Sequence, residues 1–91
     1  MNAFRAIVVD DEPLARQMVA SLVRRDVDIA QVVECGDATA LPELLRTHGP
    51  HIVFLDVEMP GMDGLHLARL IGEDGPVVVF ITAYSQYAAR A

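Results

Sequence analysis

The fold is decided by a stretch near the start of the chain, residues 5–13, which reads RAIVVDDEP. Its β-branched run is too short for a helix and is apolar on both faces, which is typical of a buried parallel strand. The run ends in acidic residues, and Pro13 then allows a helix to begin, with Asp11 or Glu12 positioned to cap it. The stretch therefore predicts a strand over 5–10 that is followed at once by a helix.

That helix is predicted from Pro13 to about Arg25, because apolar residues recur along one face. The face predicted to be buried holds Leu14, Met18 and Leu22 at intervals of four, flanked by Ala15, Val19 and Val23. The opposite side is predicted to hold Arg16, Gln17, Ser21, Arg24 and Arg25.

The next elements repeat the alternation of strand and helix. A more polar run over 29–34 predicts an edge strand, and a helix is predicted from Ala40 to about His48. Pro42 has no N–H and fits only in the first helical turn, which favours Thr39 over Asp37 as the N-cap. A buried strand is then predicted over 51–56.

The last third of the chain continues this order. A loop over 57–64, VEMPGMDG, contains Gly61 and Gly64, which we expect to serve turn geometry. A helix over 65–71, a strand over 77–82 and the start of a helix over 85–91 follow. The order βαβαβαβα predicts an α/β domain with a doubly wound parallel sheet in three layers.

Composition limits the possible functions. The 91 residues are 53% hydrophobic, enough for one domain with a core, and no apolar run is long enough to span a membrane. Seven arginines against thirteen acids give a net charge of −6, a poor footprint for binding nucleic acid directly. The single cysteine, Cys35, excludes a disulfide framework and is expected to be buried. A cytoplasmic location is the expectation.

Polar side chains lie where three of the predicted strands end, and at two of these ends they are acidic. Asp10 and Asp11, with Glu12, follow the first strand, Asp56 ends the third, and Thr82 ends the fourth. Ligands of open parallel sheets bind at this edge, and right-handed crossovers make these strands neighbours. Clustered carboxylates repel one another and suit Mg²⁺, although acids before a helix can also serve only as caps.

Three motifs together resemble a known family. IVVDDEP, FLDVEMPGMDG and FITAYSQYA, in this order and spacing, resemble the receiver domain of bacterial two-component response regulators across essentially the whole chain, 1–91. The resemblance implies a flavodoxin-like fold with strand order 2-1-3-4-5. The ITAY-x-x-YA ending and DDEPLAR most resemble receivers joined to LytTR-type DNA-binding domains.

The resemblance also implies a role for each acidic residue. Asp56 matches the phosphoacceptor, which takes a phosphoryl group from a sensor histidine kinase. Asp11 matches a direct Mg²⁺ ligand beside Asp56 and the backbone carbonyl of Glu58, while Asp10 matches the carboxylate that holds the metal through water. Thr82 matches the hydroxyl that binds a phosphoryl oxygen.

Two alternatives remain open. The first is a Mg²⁺-dependent phosphatase or phosphotransferase of the haloacid-dehalogenase type. That type would need a second acid at DxD followed by Thr or Val, whereas here Asp56 is followed by Val57-Glu58-Met59-Pro60. The second is a degenerate receiver that only binds protein. The presence of all three acids and Thr82 argues against a degenerate receiver.

In receivers a lysine at the end of a fifth strand completes the pocket, and this chain contains no lysine. Its last residue, Ala91, falls just inside the expected fourth helix, so we expect the fifth strand, the fifth helix and an output domain to be missing. Contact with DNA would then come only through that domain of the parent protein. We also expect the open edge at 77–82 to cause self-association, and phosphorylation to be about a hundredfold slower.

Overall fold

The computed structural model describes residues 4–59 and 62–81. The elements in chain order are Phe4–Val9 (β1), Pro13–Arg24 (α1), Ile29–Cys35 (β2), a 3-10 turn Ala38–Ala40, Leu41–His48 (α2), Ile52–Asp56 (β3), Glu58–Met59 (β4), Met62–Asp63 (β5), Gly64–Ile71 (α3) and Val77–Ile81 (β6). The predicted helix start over 85–91 and Thr82 lie outside the described residues.

Four strands form one parallel sheet in the order β2-β1-β3-β6. This order confirms the predicted α/β fold and matches the first four positions of the flavodoxin-like arrangement. In the register, Val9 lies opposite Leu55, and Asp56 lies opposite Ile81. The carboxyl ends of β1, β3 and β6 therefore meet at one edge of the sheet.

Successive side chains of the central strands point to opposite faces of the sheet, and each face is covered by helices. Ile7, Val9, Val53 and Leu55 are fully buried in one cluster with residues of α2 and α3. The other face of β1 is also buried, and α1 contacts β1 and β2 there. The three-layer arrangement is thus confirmed.

The predicted buried face of α1 is wrong. Leu14, Met18 and Leu22 are 73%, 67% and 56% exposed, whereas Ala20 is fully buried. The helix carries two adjacent apolar rows, and only one of them can face the sheet. Arg16, predicted on the solvent side, instead has a side chain only 19% exposed. It hydrogen-bonds to Glu34 of β2 and to the Asp10 carbonyl, so this side of α1 faces the sheet.

The helix caps also differ from the prediction. At α1 the N-cap is Glu12, one of the two predicted residues, although its side chain makes no cap hydrogen bond. Before α2, Asp37 caps the 3-10 turn, because its carboxylate accepts from the Thr39 backbone N–H at 2.9 Å. The N-cap of α2 itself is Ala40 and not the predicted Thr39. The extra 3-10 turn moves the start of α2 to Leu41, while Pro42 lies in the first turn as predicted.

The predicted loop 57–64 contains regular structure. β4 and β5 pair as a short antiparallel ribbon, with Glu58 opposite Asp63. The Asp63 carboxylate then caps α3 by accepting from the Leu65 backbone N–H at 2.9 Å. The ribbon and its cap carry the chain from the end of β3 directly into the helix.

Within residues 4–59 and 62–81, no helix is long and apolar enough to cross a membrane.

Candidate functional site

The structure brings three of the predicted site residues together. Carboxylate oxygens of Asp10, Asp11 and Asp56 all lie within 4.8 Å of one another. Asp10 is only 7% exposed, Asp56 is half-buried and Asp11 is exposed, so the cluster runs from the protein interior to solvent. The convergence follows from the parallel register, which places the residue after β1 beside the last residue of β3.

Backbone contacts hold Asp10 in place after β1 ends. Its N–H donates to the Cys35 carbonyl at 3.1 Å, which continues the pairing with β2. Its Oδ1 accepts from the Glu12 N–H at 2.9 Å, which closes a local turn around Asp11. An acid that could have served as an ordinary helix cap therefore shapes the loop that presents Asp11.

Contacts with β6 and α3 hold the backbone around Asp56 in place. The Val57 N–H donates to the Ile81 carbonyl at 3.0 Å, which ties the residue after β3 to β6. Gly64 at the start of α3 lies so near that a Cβ there would be 2.7 Å from the Asp56 carbonyl oxygen. Gly64 thus serves close approach and not the turn geometry we predicted, since its φ is not positive.

The carboxylate cluster has the chemistry of a hard-cation site. Mg²⁺ binds oxygen ligands at about 2.0–2.1 Å in an octahedron, so neighbouring ligands are roughly 3 Å apart and opposite ones roughly 4 Å apart. Oxygens spread over up to 4.8 Å fit such an ion when one carboxylate acts through water. Three carboxylates at this separation also repel one another, and a divalent cation would offset that repulsion.

Two predicted site residues are not placed in this cluster. The Glu58 backbone lies in β4, two residues beyond Asp56, and its part in metal binding stays a prediction. Thr82 lies outside the described residues, and its role likewise stays a prediction.

Sequence reasoning missed Arg16. Its Nη1 donates to the Asp10 carbonyl at 3.1 Å and its Nε to Glu34 at 3.2 Å. Nothing in the helical periodicity distinguishes Arg16 from the other arginines of α1. The available signal was an acid, Glu34, placed at the end of the neighbouring predicted strand.

Cys35 adjoins the site through its backbone but does not supply a ligand. Burial raises the pKa of the thiol above its ordinary 9.0, and its Sγ donates to the Asp37 carbonyl at 3.1 Å. The protonated thiol packs in the core, as predicted.

The described residues thus combine a parallel α/β sheet with an acidic cluster at the carboxyl edge of its strands. Residues 6–91 match the family model of the response regulator receiver domain. The chain therefore belongs to the response regulator receiver family.

Individual relatives agree with this assignment. The chain is 43% identical over 89 residues to an uncharacterized response regulatory protein of Yersinia pestis, covering 96% of this chain and 37% of that protein. It is 36% identical over 88 residues to the transcriptional regulatory protein BtsR of Salmonella typhi, covering 96% of this chain and 37% of that protein. The chain thus spans little more than a third of these relatives' length.

Solved structures support the same fold. The signal receiver domain of the putative response regulator NarL from Mycobacterium tuberculosis superposes with a TM-score of 0.78 at 34% identity, covering 92% of this chain and 69% of that one. The response regulator TrrA from Thermotoga maritima, in complex with Mg²⁺ and BeF, has a TM-score of 0.78 at 27% identity, covering 96% of this chain and 76% of that one.

Proposed function

We propose that this domain is a phosphoryl-accepting switch of a two-component system, with Asp56 as the acceptor. The observation that carries the proposal is the cluster in which Asp56, half-buried at the end of β3, shares a space with Asp10 and Asp11. A carboxylate oxygen of Asp56 would bond to the phosphorus of a phosphohistidine as the P–N bond breaks. The released imidazole keeps the electron pair of that bond and takes up a proton.

The acidic residues would hold Mg²⁺ for this transfer. Asp11 and Asp56 are proposed as direct ligands together with the Glu58 backbone carbonyl, and Asp10 as a ligand through water. When bound, the cation offsets the negative charge of the phosphoryl group that approaches a carboxylate. The Thr82 hydroxyl is proposed to donate a hydrogen bond to a phosphoryl oxygen.

The phosphodonor is proposed to be a sensor histidine kinase, and the exposed row on α1 supports a protein partner. Leu14, Met18 and Leu22 form this apolar row, which begins three residues after Asp11. Exposed apolar residues grouped in this way are typical of surfaces that bind another protein. A partner seated on the row would bring its own reactive group next to the acidic cluster.

We further propose that the parent protein is a cytoplasmic transcription regulator in which this domain controls a LytTR-type DNA-binding domain. The support is the ITAY-x-x-YA and DDEPLAR motifs, together with relatives that are named response or transcriptional regulators. Determining the sequence that follows Ala91 in the parent protein tests this, because an output domain of another class would contradict it.

Phosphorylation by a small donor tests the acceptor directly. The parent protein is incubated with acetyl phosphate and Mg²⁺, and intact mass is measured. We expect one added phosphoryl group, which Asp56→Asn abolishes and the exposed control Asp74→Asn retains. Equal labelling of Asp56→Asn and wild type would refute the choice of nucleophile.

Magnesium titration tests the metal site separately. Amide NMR shifts of the 91-residue chain are followed as Mg²⁺ is added, and the response is expected to centre on Asp10, Asp11 and Asp56. Asp11→Asn should weaken binding sharply because a charged oxygen ligand is lost. A response centred elsewhere, or one unchanged in the variant, would contradict the proposed ligands.

We also propose that the 91-residue chain self-associates through β6. Among the described strands, β6 pairs only with β3, and its Val77 and Phe80 are 64% and 43% exposed. Unpaired strand edges with apolar side chains favour pairing with another chain. Light scattering on a sizing column should show a species larger than a monomer, and a monodisperse monomer would refute the proposal.

A further inference from the structure

Arg16 is the one cation of α1 that contacts the backbone of the acidic site in the described residues. Its guanidinium joins the Asp10 carbonyl, at 3.1 Å, to the Glu34 carboxylate, at 3.2 Å. Asp10 is at the same time bonded through its N–H to β2. The ends of β1 and β2 are therefore connected both by the sheet and by this side chain.

The Arg16 guanidinium lies directly against Gly36. A Cβ on Gly36 would collide with Arg16 Nη1 and lie 3.1 Å from its Cζ. Gly36 does not have a positive φ, so its backbone conformation is open to any residue. A side chain at this position would therefore displace the flexible Arg16 guanidinium from the place that it occupies here.

Arg24 shares the same carboxylate without reaching the site. Its Nη2 lies 3.7 Å from Glu34 Oε2, and it donates to the Val32 carbonyl at 3.4 Å. Arg24 and Arg16 therefore carry the same charge and share one partner, but only Arg16 bonds to Asp10. This pair allows the effect of charge to be separated from the effect of position.

We propose that Arg16 is a positioning residue for the cation site, holding the Asp10–Asp11 turn in its binding geometry through the Asp10 carbonyl. The proposal rests on the proposed function, because it concerns the same acidic cluster. Groups that hydrogen-bond behind metal ligands typically change metal affinity by about 10–100-fold when removed. Arg16 lies one step further back than such a group, because it bonds to the Asp10 backbone carbonyl and not to a cluster carboxylate, so we expect an effect near the lower end of this range.

A positioning role and a purely electrostatic role for Arg16 predict opposite changes in Mg²⁺ affinity when the side chain is removed. If Arg16 acted only as a nearby positive charge, its removal would strengthen Mg²⁺ binding, because like charges repel. If it positions the turn, removal weakens binding in spite of the lost repulsion. Measuring the direction of the change therefore separates the two.

The experiment follows the Asp10 and Asp11 amide shifts of the 91-residue chain as MgCl₂ is added, with far-ultraviolet circular dichroism confirming that each variant is folded. We expect Arg16→Gln to weaken Mg²⁺ binding about 10-fold, and Arg16→Lys to restore it only in part because a lysine cannot make both bonds. Arg24→Gln is the matched control and should leave the affinity unchanged. Gly36→Ala should also weaken Mg²⁺ binding, because the added methyl group displaces the Arg16 guanidinium from the Asp10 carbonyl.

The outcomes distinguish failure of the Arg16 proposal from failure of the proposed metal site. Unchanged or tighter binding in Arg16→Gln or, where that variant does not fold, in Gly36→Ala overturns the positioning role while the proposed function stands. An equal loss in Arg24→Gln also overturns it, because an arginine with no bond to Asp10 would then have the same effect as Arg16. Failure of the wild-type chain to bind Mg²⁺ at these amides overturns the proposed metal site and this inference together.

Discussion

Gly64→Ala is the most direct test of how the fold shapes the end of β3 that holds Asp56. The added Cβ would lie 2.7 Å from the Asp56 carbonyl oxygen and 3.3 Å from the Val57 Cα, whereas ordinary contact begins at 3.4 Å. Both neighbours are backbone atoms, so they cannot rotate away as a flexible side chain can. Relief requires α3 and the end of β3 to separate by about 0.7 Å.

The energetic cost follows from two opposing terms. Overpacking of this kind costs about 1–3 kcal/mol, while alanine is favoured over glycine in a helix by up to about 1 kcal/mol. We expect a net loss of about 1–2 kcal/mol in the free energy of unfolding. For a domain of this size each kcal/mol lowers Tm by about 4–8 °C.

Urea unfolding followed by circular dichroism measures the loss, and Mg²⁺ titration measures the displacement of Asp56. We expect Gly64→Ala to unfold at lower urea concentration and to bind Mg²⁺ more weakly. His66→Ala is the matched control, since it lies exposed on the same helix and gains helix propensity without a new contact. A Gly64→Ala chain that is as stable as wild type, with unchanged Mg²⁺ affinity, would show that the close approach is not required.

Three further predictions concern the core and two titrating groups. Leu67→Ala, at a side chain 1% exposed in the core cluster, should lower the unfolding free energy by about 2–5 kcal/mol, and an equal loss in the exposed control Leu70→Ala would contradict this. Burial raises the pKa of the Cys35 thiol, so its contribution to stability should be lost as pH rises above 9.0 towards the higher pKa of the folded chain. Iodoacetamide should react far more slowly with the folded chain than with the urea-unfolded chain, and equal rates would refute the burial of the thiol. Hydrogen bonds from the Thr39 side chain and backbone lower the pKa of Asp37, so its contribution should be lost as pH falls below 3.8, and an NMR titration should show that pKa rising in Thr39→Val.

Much of the fold follows from local patterns. Short β-branched runs that alternate with helical spacing predicted the four parallel strands, and right-handed crossovers predicted that the third strand lies beside the first and the fourth. The full strand order was implied by the resemblance to receiver domains. The same patterns placed Asp10, Asp11 and Asp56 at strand ends. Parallel strands bring those ends to one edge, so the acidic cluster could be anticipated before any distance was known.

Other features depended on contacts between distant residues. Periodicity showed two apolar rows on α1 but could not select the one that faces the sheet, and it put Arg16 on the wrong side. The contact with Glu34, eighteen residues away, decides the position of that side chain. Likewise, only the packing of α3 against the end of β3 shows why Gly64 is a glycine. Hydrophobic spacing reports which side chains can be buried, whereas the tertiary structure decides which of them are, because each helix offers the sheet only one face.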